Sequence, residues 1–291
     1  MSKRKDKTYK KTVFIGLDLA WSDRNPSGCA VICDQRLIAY TGRLGSNAEI
    51  FRFIEKHIPN GHPAIVGIDA PLRVPNDSGS RSCDRDLSAD WRRFEAGALP
   101  ANRKVTGKAI KKAVLDESEV KNKNRKDKNL KVQFEVRGEE IVKLLVERLR
   151  FAEAAPIPKR TEDRIVCEVY PHPAHVSLFD LDITLKYKSR SKRSYETRWA
   201  EMEKYQQHLR SLYTATPKLK RTKKLLTQTD VRQLRGKELK KYEDILDAIT
   251  CAYIVYYCWF HGPKRTLVYG SISNGHIIVP FPDKAKIRIS K

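Results

Sequence analysis

The sequence has no run of about 18 apolar residues, the length a membrane-spanning helix needs, so none is expected. Its basic start, MSKRKDKTYKK, leads straight into a strand pattern rather than into the apolar stretch of a secretion signal. Residues 1–12 therefore read as a flexible basic arm. The six cysteines, Cys29, Cys33, Cys83, Cys167, Cys251 and Cys258, contain no CxxC pair and no zinc-ligand framework. Several lie in apolar runs, where a free thiol behaves as a small hydrophobe. The expectation is a reduced, cytoplasmic protein without structural zinc. Acid is scarce as well: 35 Asp and Glu face 58 Lys and Arg, for a net charge of +23. Such an excess points to a polyanionic partner, nucleic acid ahead of a membrane surface. Charge alone names no reaction.

What is present has a legible order. An apolar strand pattern over Val13–Ala20 is followed by the turn SDRNPSG, a strand over Cys29–Cys33, a tight DQ turn and a strand over Arg36–Gly42. Short turns between successive strands suggest an antiparallel meander. Asn47 is placed to cap a helix running to His57, and Ala64–Asp69 forms a fourth strand. The order is βββαβ, an α/β arrangement. From residue 75 to 164 the pattern changes and reads as an inserted, partly helical segment. It holds a short helix over Leu87–Glu95, a basic stretch over Arg103–Lys131 and a helix over Gly138–Ala155. The core, residues 13–74 and 165–280, resumes with a strand over Ile165–Tyr170 closed by PHP. A second basic insertion, residues 186–224, carries a helical stripe that Ser194 can cap. A mostly apolar helix over Lys240–Trp259 and two strands around SISNG complete the chain.

Several acids sit in apolar company. Asp18 lies in FIGLDLAWS, Asp69 ends IVGIDAP, and Glu168 lies in IVCEVYP. Asp244 and Asp247, three residues apart in YEDILDAITCAY, share one helix face. A lone buried carboxylate costs several kcal/mol unless it is paired, protonated or metal-bound. Each acid taken singly has a local explanation, such as a turn or a cap. Together they form a candidate cluster if the strands are neighbours and the late helix packs on them. Carboxylates without His or Cys ligands suit hard cations, chiefly Mg²⁺ or Mn²⁺. In two-metal phosphodiester hydrolysis, paired ions activate the attacking water and stabilise the leaving oxygen. That chemistry needs converging carboxylates and a cationic surround for the polyanion.

The strand order, with acids in the first strand, the fourth strand and the late helix, resembles the ribonuclease H-like fold. The signature Asp244-Ile-Leu-Asp247-Ala248 is similar to that of RuvC-type resolvases. More closely, GLDLAW, GIDAPL, RSCDRDL, CEVYPHPA and DILDAITCAY together resemble domain-of-unknown-function family 429, predicted nucleases of that fold. The blocks span about Val13–Pro280, and the two basic stretches lie outside them. The resemblance implies a ribonuclease H-like mixed sheet flanked by helices. It implies Asp18, Asp69, Asp244 and Asp247 as ligands of Mg²⁺ or Mn²⁺, two ions in all, with Glu168 in support. The expected activity is metal-dependent hydrolysis of nucleic acid, DNA or RNA. The alternative is a non-catalytic nucleic-acid-binding protein that keeps the fold.

Other residues carry two readings. Arg81, Asp84 and Arg85 either place guanidinium groups on a substrate phosphate or form an Arg–Asp pair that fixes the insertion. His172 and His175 either shuttle protons or ligate metal, or simply pack a loop. Trp91, Trp199, Tyr187, Tyr195 and Tyr205 interleave with basic residues as base-stacking candidates, although Trp199 at helical spacing is more simply a core residue. A sugar or acetate kinase-type phosphotransferase would need a repeated core and Gly-rich phosphate loops, and neither is visible.

Overall fold

The computed structural model describes residues 11–113 and 130–281, without the side chains of 109–133. Its first elements are strands β1 (Val13–Asp18), β2 (Ser27–Cys33) and β3 (Arg36–Leu44), helix α1 (Asn47–Lys56) and strand β4 (Ala64–Asp69). There follow α2 (Ser82–Trp91), α3 (Arg103–Thr106), β5 (Gly107–Ala113), β6 (Leu130–Val136), α4 (Arg137–Leu149) and β7 (Ala152–Glu153). The chain closes with β8 (Arg164–Glu168), α5 (Pro171–Phe179), α6 (Tyr195–Ser211), α7 (Lys223–Gln228), α8 (Gly236–His261), β9 (Thr266–Ser271) and β10 (Gly275–Pro280).

Six strands form one mixed sheet in the order β3-β2-β1-β4-β8-β7. The first three are antiparallel, as short turns dictate, while β4, β8 and β7 run parallel to β1 through longer crossovers. Both faces are covered, which explains the near-continuous apolar runs of the central strands. Strand pleating sends alternate side chains to opposite faces. Phe14 and Ile65 join a core with α6 and α8, whereas Val13, Ile15, Leu17, Val66 and Ile68 join a second core with α1 and α4.

Glycine brings α8 unusually close to the sheet. A Cβ at Gly16 would lie 2.0 Å from the Ala248 carbonyl oxygen and 2.2 Å from the Ala252 nitrogen, both backbone atoms. A Cβ at Gly28 would lie 2.1 Å from the Asp244 carbonyl oxygen. The two glycines therefore set the depth at which α8 delivers its acids. Gly16→Ala is expected to lift α8 off β1 and destabilise the fold by about 1–3 kcal/mol, the cost of overpacking a dense core. A urea midpoint within error of wild type contradicts this packing account.

Some boundaries differ from the sequence reading. Ser46, not Asn47, caps α1: its Oγ accepts the Glu49 N–H at 3.2 Å, and the Glu49 carboxylate accepts the Ser46 N–H at 2.9 Å. The reciprocal pair of hydrogen bonds outcompetes a single Asn cap. The helix read at Leu87–Glu95 begins earlier, at Ser82, and the one read through Ala155 stops at Leu149 before the edge strand β7. The basic stretch Arg103–Lys131 supplies α3 and the β5–β6 ribbon, while residues 114–129 lie outside the described residues, as do residues 1–10 of the basic arm. The PHP stretch, read only as a strand stop, itself opens helix α5, with Pro171 at its first position. Ser194 does cap α6, whose Trp199, Met202, Tyr205 and Leu209 enter the core beside α8. Among the described residues, no helix is long and apolar enough to cross a membrane.

Candidate functional site

β1 and β4 are in parallel register, and that register pairs Asp18 with Asp69 directly. Pleating puts both on the face of Phe14, Gly16, Ile65 and Gly67, the face that α8 covers. α8 adds Asp244 and Asp247 from above, with Asp244 lying over Gly28, the β2 partner of Asp18. Four of the five acids singled out in the sequence thus gather at the carboxyl ends of β1 and β4.

Their electrostatics are strained. Burial, then Asp247, Asp244 and Asp69, push the Asp18 carboxyl well above the usual range against the pull of Lys188. Asp69 is raised by burial, against Lys188, with Asp247 and Glu168 adding to the rise. Asp244 is raised by burial although Lys240 opposes it, and it shares a hydrogen bond with Asp18. Asp247 behaves differently. Burial would raise it, but Lys188, His175 and the Tyr187 hydroxyl outweigh burial and keep it ionised. The Tyr187 hydroxyl donates to Asp247 Oδ1 at 2.6 Å, and the Tyr205 hydroxyl lies 3.1 Å from the same oxygen. Among the described residues Asp247 Oδ2 has no hydrogen-bond partner, although Lys188 Nζ stands 3.0 Å away as an ion pair.

Glu168 stands apart from these four in register, although it lines the same small cavity as Asp69 and adds to that carboxyl's rise. The β4–β8 register pairs it with Ile68 rather than Asp69, so it leaves the sheet on the opposite face. There it takes two hydrogen bonds from Arg81, Nη1 to Oε2 at 2.8 Å and Nη2 to Oε1 at 2.6 Å, and a third from the Leu72 N–H at 2.9 Å. Arg81 also donates Nε and Nη2 to Asp84 and Nη1 to the Arg73 carbonyl. All five guanidinium protons are spent inside the protein. Of the two sequence readings, the geometry is that of the fixing Arg–Asp pair, extended to Glu168. Arg85 is exposed, with Nη1 on the Ser80 carbonyl at 2.6 Å.

The histidines lie near the acids but pack rather than point outward. His172 bonds Thr184 Oγ1 at 3.2 Å and stacks on Tyr187. His175 is fully buried edge-on to Tyr205, and neither ring nitrogen has a hydrogen-bond partner among the described residues. Trp91, Trp199, Tyr187 and Tyr205 are buried, so they cannot stack bases; Tyr195 remains exposed. Trp199 and Tyr205 lie on the core side of α6 with Tyr187 on its approach, and Trp91 ends α2 inside a separate core with Tyr269. Cys83 is buried, and its thiol is pushed up to about 12 by that burial.

Lys188 is a member of the candidate site missed in the sequence, lost among the charges of the second basic stretch. Trp21 is the other. It is 40% exposed and lines a cavity of about 90 Å³ together with Asp69 and Tyr170. Its nearness to Asp18 in the chain was the available signal.

The donors suit a hard divalent cation: clustered carboxylate oxygens, one of them buried without a hydrogen bond. Among the described residues, however, no three His, Cys, Asp or Glu side chains stand together as ligands of one ion. An ammonium group stands where a cation's charge would be needed.

A family model described as "Protein of unknown function (DUF429)" matches residues 16–267. The chain belongs to that family. The DUF429 match runs from just before Asp18 to just past α8, so it takes in every acid of the cluster. No curated protein and no solved structure matches the chain.

One pH effect arises beside the site. His276 on β10 is buried, and its Nε2 accepts the Glu168 N–H at 3.1 Å, so the ring must be neutral. Burial, then Arg81 and Arg73, hold its pKa down at about 4. A histidine depressed below its unfolded value leaves stability intact above pH 6.5 and removes it as pH falls toward 4. The expected loss across that window is roughly 3 kcal/mol. Urea midpoints at pH 7 and pH 4.5 check it: His276→Gln, which keeps an acceptor, should flatten the difference.

Proposed function

We propose that this DUF429 protein is a metal-dependent nuclease of the ribonuclease H-like class. The observation that carries the reading is the direct pairing of Asp18 with Asp69 across β1 and β4, with Asp247 delivered onto them by α8. The strand order β3-β2-β1-β4-β8 and the βββαβ chain order support the fold assignment. The net charge of +23 supports a nucleic-acid substrate. Asp18, Asp69 and Asp247 would hold Mg²⁺ or Mn²⁺, with Asp244 completing the set. A divalent cation held there supplies Lewis-acid activation of water and relief of charge at the scissile phosphate. The chain's own residues do the rest. Tyr187 and Tyr205 orient Asp247, the Arg81–Glu168 clamp fixes the carboxyl end of β8 and the start of α2, and the exposed Trp21 indole offers a stacking face beside Asp69.

A second reading, a nucleic-acid-binding protein without cleavage, draws on the Lys188–Asp247 ion pair, which already neutralises part of the cluster. Incubation of the protein with DNA, RNA, hybrid and branched substrates in Mg²⁺ or Mn²⁺ separates the two. Cation-dependent strand scission supports the nuclease. Salt-sensitive binding without scission, indifferent to Asp69→Asn, supports the binder.

A further inference from the structure

We infer that Lys188 is the internal counterion of the acid cluster, and that a divalent cation and the Lys188 ammonium compete for Asp247 Oδ2. The inference rests on the cation reading of the same site.

Two lysines, Lys240 and Lys188, serve the cluster. Lys240 Nζ pairs with Glu243 Oε1 at 2.8 Å and with Asp244 Oδ1, on its own helix. Arg198 stands 3.7 Å from Glu243. The inner acids, Asp18, Asp69 and Asp247, all feel Lys188, whose Nζ is 3.0 Å from Asp247 Oδ2, while Lys240 also acts on Asp18 and Asp69. An isolated buried carboxylate is costly, and Asp247 is fully buried. Lys188 is therefore the cation that stabilises ionised Asp247 when no divalent ion is there.

The backbone and side chain of Lys188 are held differently. Arg193 donates to the Lys188 carbonyl at 2.6 Å, and Arg198 donates to the Tyr187 carbonyl at 3.1 Å. Tyr187 itself is buried and hydrogen-bonded to Asp247. The main chain is thus fixed beside the acids. The Lys188 side chain is 29% exposed while that of Asp247 is sealed. A flexible four-carbon stem on a fixed anchor can withdraw the charge without moving the fold.

Competition at one oxygen is a coupling between two ligands, commonly worth five-fold to about a hundred-fold in affinity. Calorimetric titration of the full chain with Mn²⁺ reads it. Lys188→Met keeps the stem and removes the charge, and Mn²⁺ should then bind about tenfold tighter than to wild type. Lys188→Arg, with a guanidinium that grips a carboxylate at two points, should bind Mn²⁺ more weakly than wild type, and it carries the test if the Met variant does not fold. Mn²⁺ binding to wild type with unchanged or weaker affinity in Lys188→Met, or unchanged affinity in Lys188→Arg, overturns the competition and leaves the metal site standing. Absence of Mn²⁺ binding in both wild type and Lys188→Met overturns the competition and the metal reading together.

Discussion

Asp18→Asn will abolish cation-dependent cleavage and, in EDTA, raise the thermal midpoint of the protein. The two effects have one cause. Asp18 ends an apolar strand in register with Asp69 and beneath Asp244 and Asp247, where burial and like charge both oppose its ionisation. Without a divalent ion this carboxyl is a liability, and an amide of the same shape removes it. Relief of such strain is worth about 1 kcal/mol, or roughly 2–4 °C for a protein of this size class. With substrate and Mg²⁺ or Mn²⁺ the balance reverses, because the amide carries no charge to hold the cation. Loss of one preorganised electrostatic group costs at least about a hundredfold in turnover. Calorimetric scans in EDTA and single-turnover cleavage check the two halves. Activity left intact in Asp18→Asn removes Asp18 from the site, and a lowered midpoint contradicts the account of its burial.

Arg81→Met is the substitution expected to cost the most stability. Arg81 spends every guanidinium proton on Asp84, Glu168 and the Arg73 carbonyl, and both acid partners are almost fully buried. Removing the cation strands two carboxylates in a dry environment, for which the expected penalty is roughly 3–5 kcal/mol. Arg81→Lys should recover little, since one ammonium cannot span two carboxylates in the planar fork geometry. Urea denaturation followed by circular dichroism measures the loss. A midpoint shift equivalent to less than about 1 kcal/mol would show that the clamp is solvated and that Arg81 is free for substrate. The same measurement separates the two roles of Glu168: a clamp residue changes stability, whereas a cation ligand changes chiefly activity.

Much of the site was visible as energetic anomaly. Asp18 and Asp69 interrupt apolar strands, and Asp244 and Asp247 share a face of an apolar helix, so local patterning alone pointed at four of the gathered acids. Glu168 looked equivalent because it also interrupts an apolar strand. Its exclusion depends on register: pairing with Ile68 instead of Asp69 sends it to the other face, and no local pattern records which strand positions align. Lys188 was hidden for a different reason. It is one cation among 58, and its partner is about sixty positions away in the chain. The aromatic residues of the second basic stretch were open to two readings, and packing decided between them. Tyr187 and Tyr205 turned inward, and their hydroxyls hold Asp247 rather than a base. The glycines in GLDLAW and PSGCA are the reverse case, ordinary in sequence and decisive in space, since they let α8 descend onto β1 and β2.

The most direct test is an anomalous difference map from crystals of the protein soaked in Mn²⁺. The account predicts a peak in contact with the carboxylates of Asp18, Asp69 and Asp247, with the Lys188 side chain withdrawn from Asp247. A well-ordered soaked crystal with no peak at these residues, and with Lys188 still paired to Asp247, would contradict it.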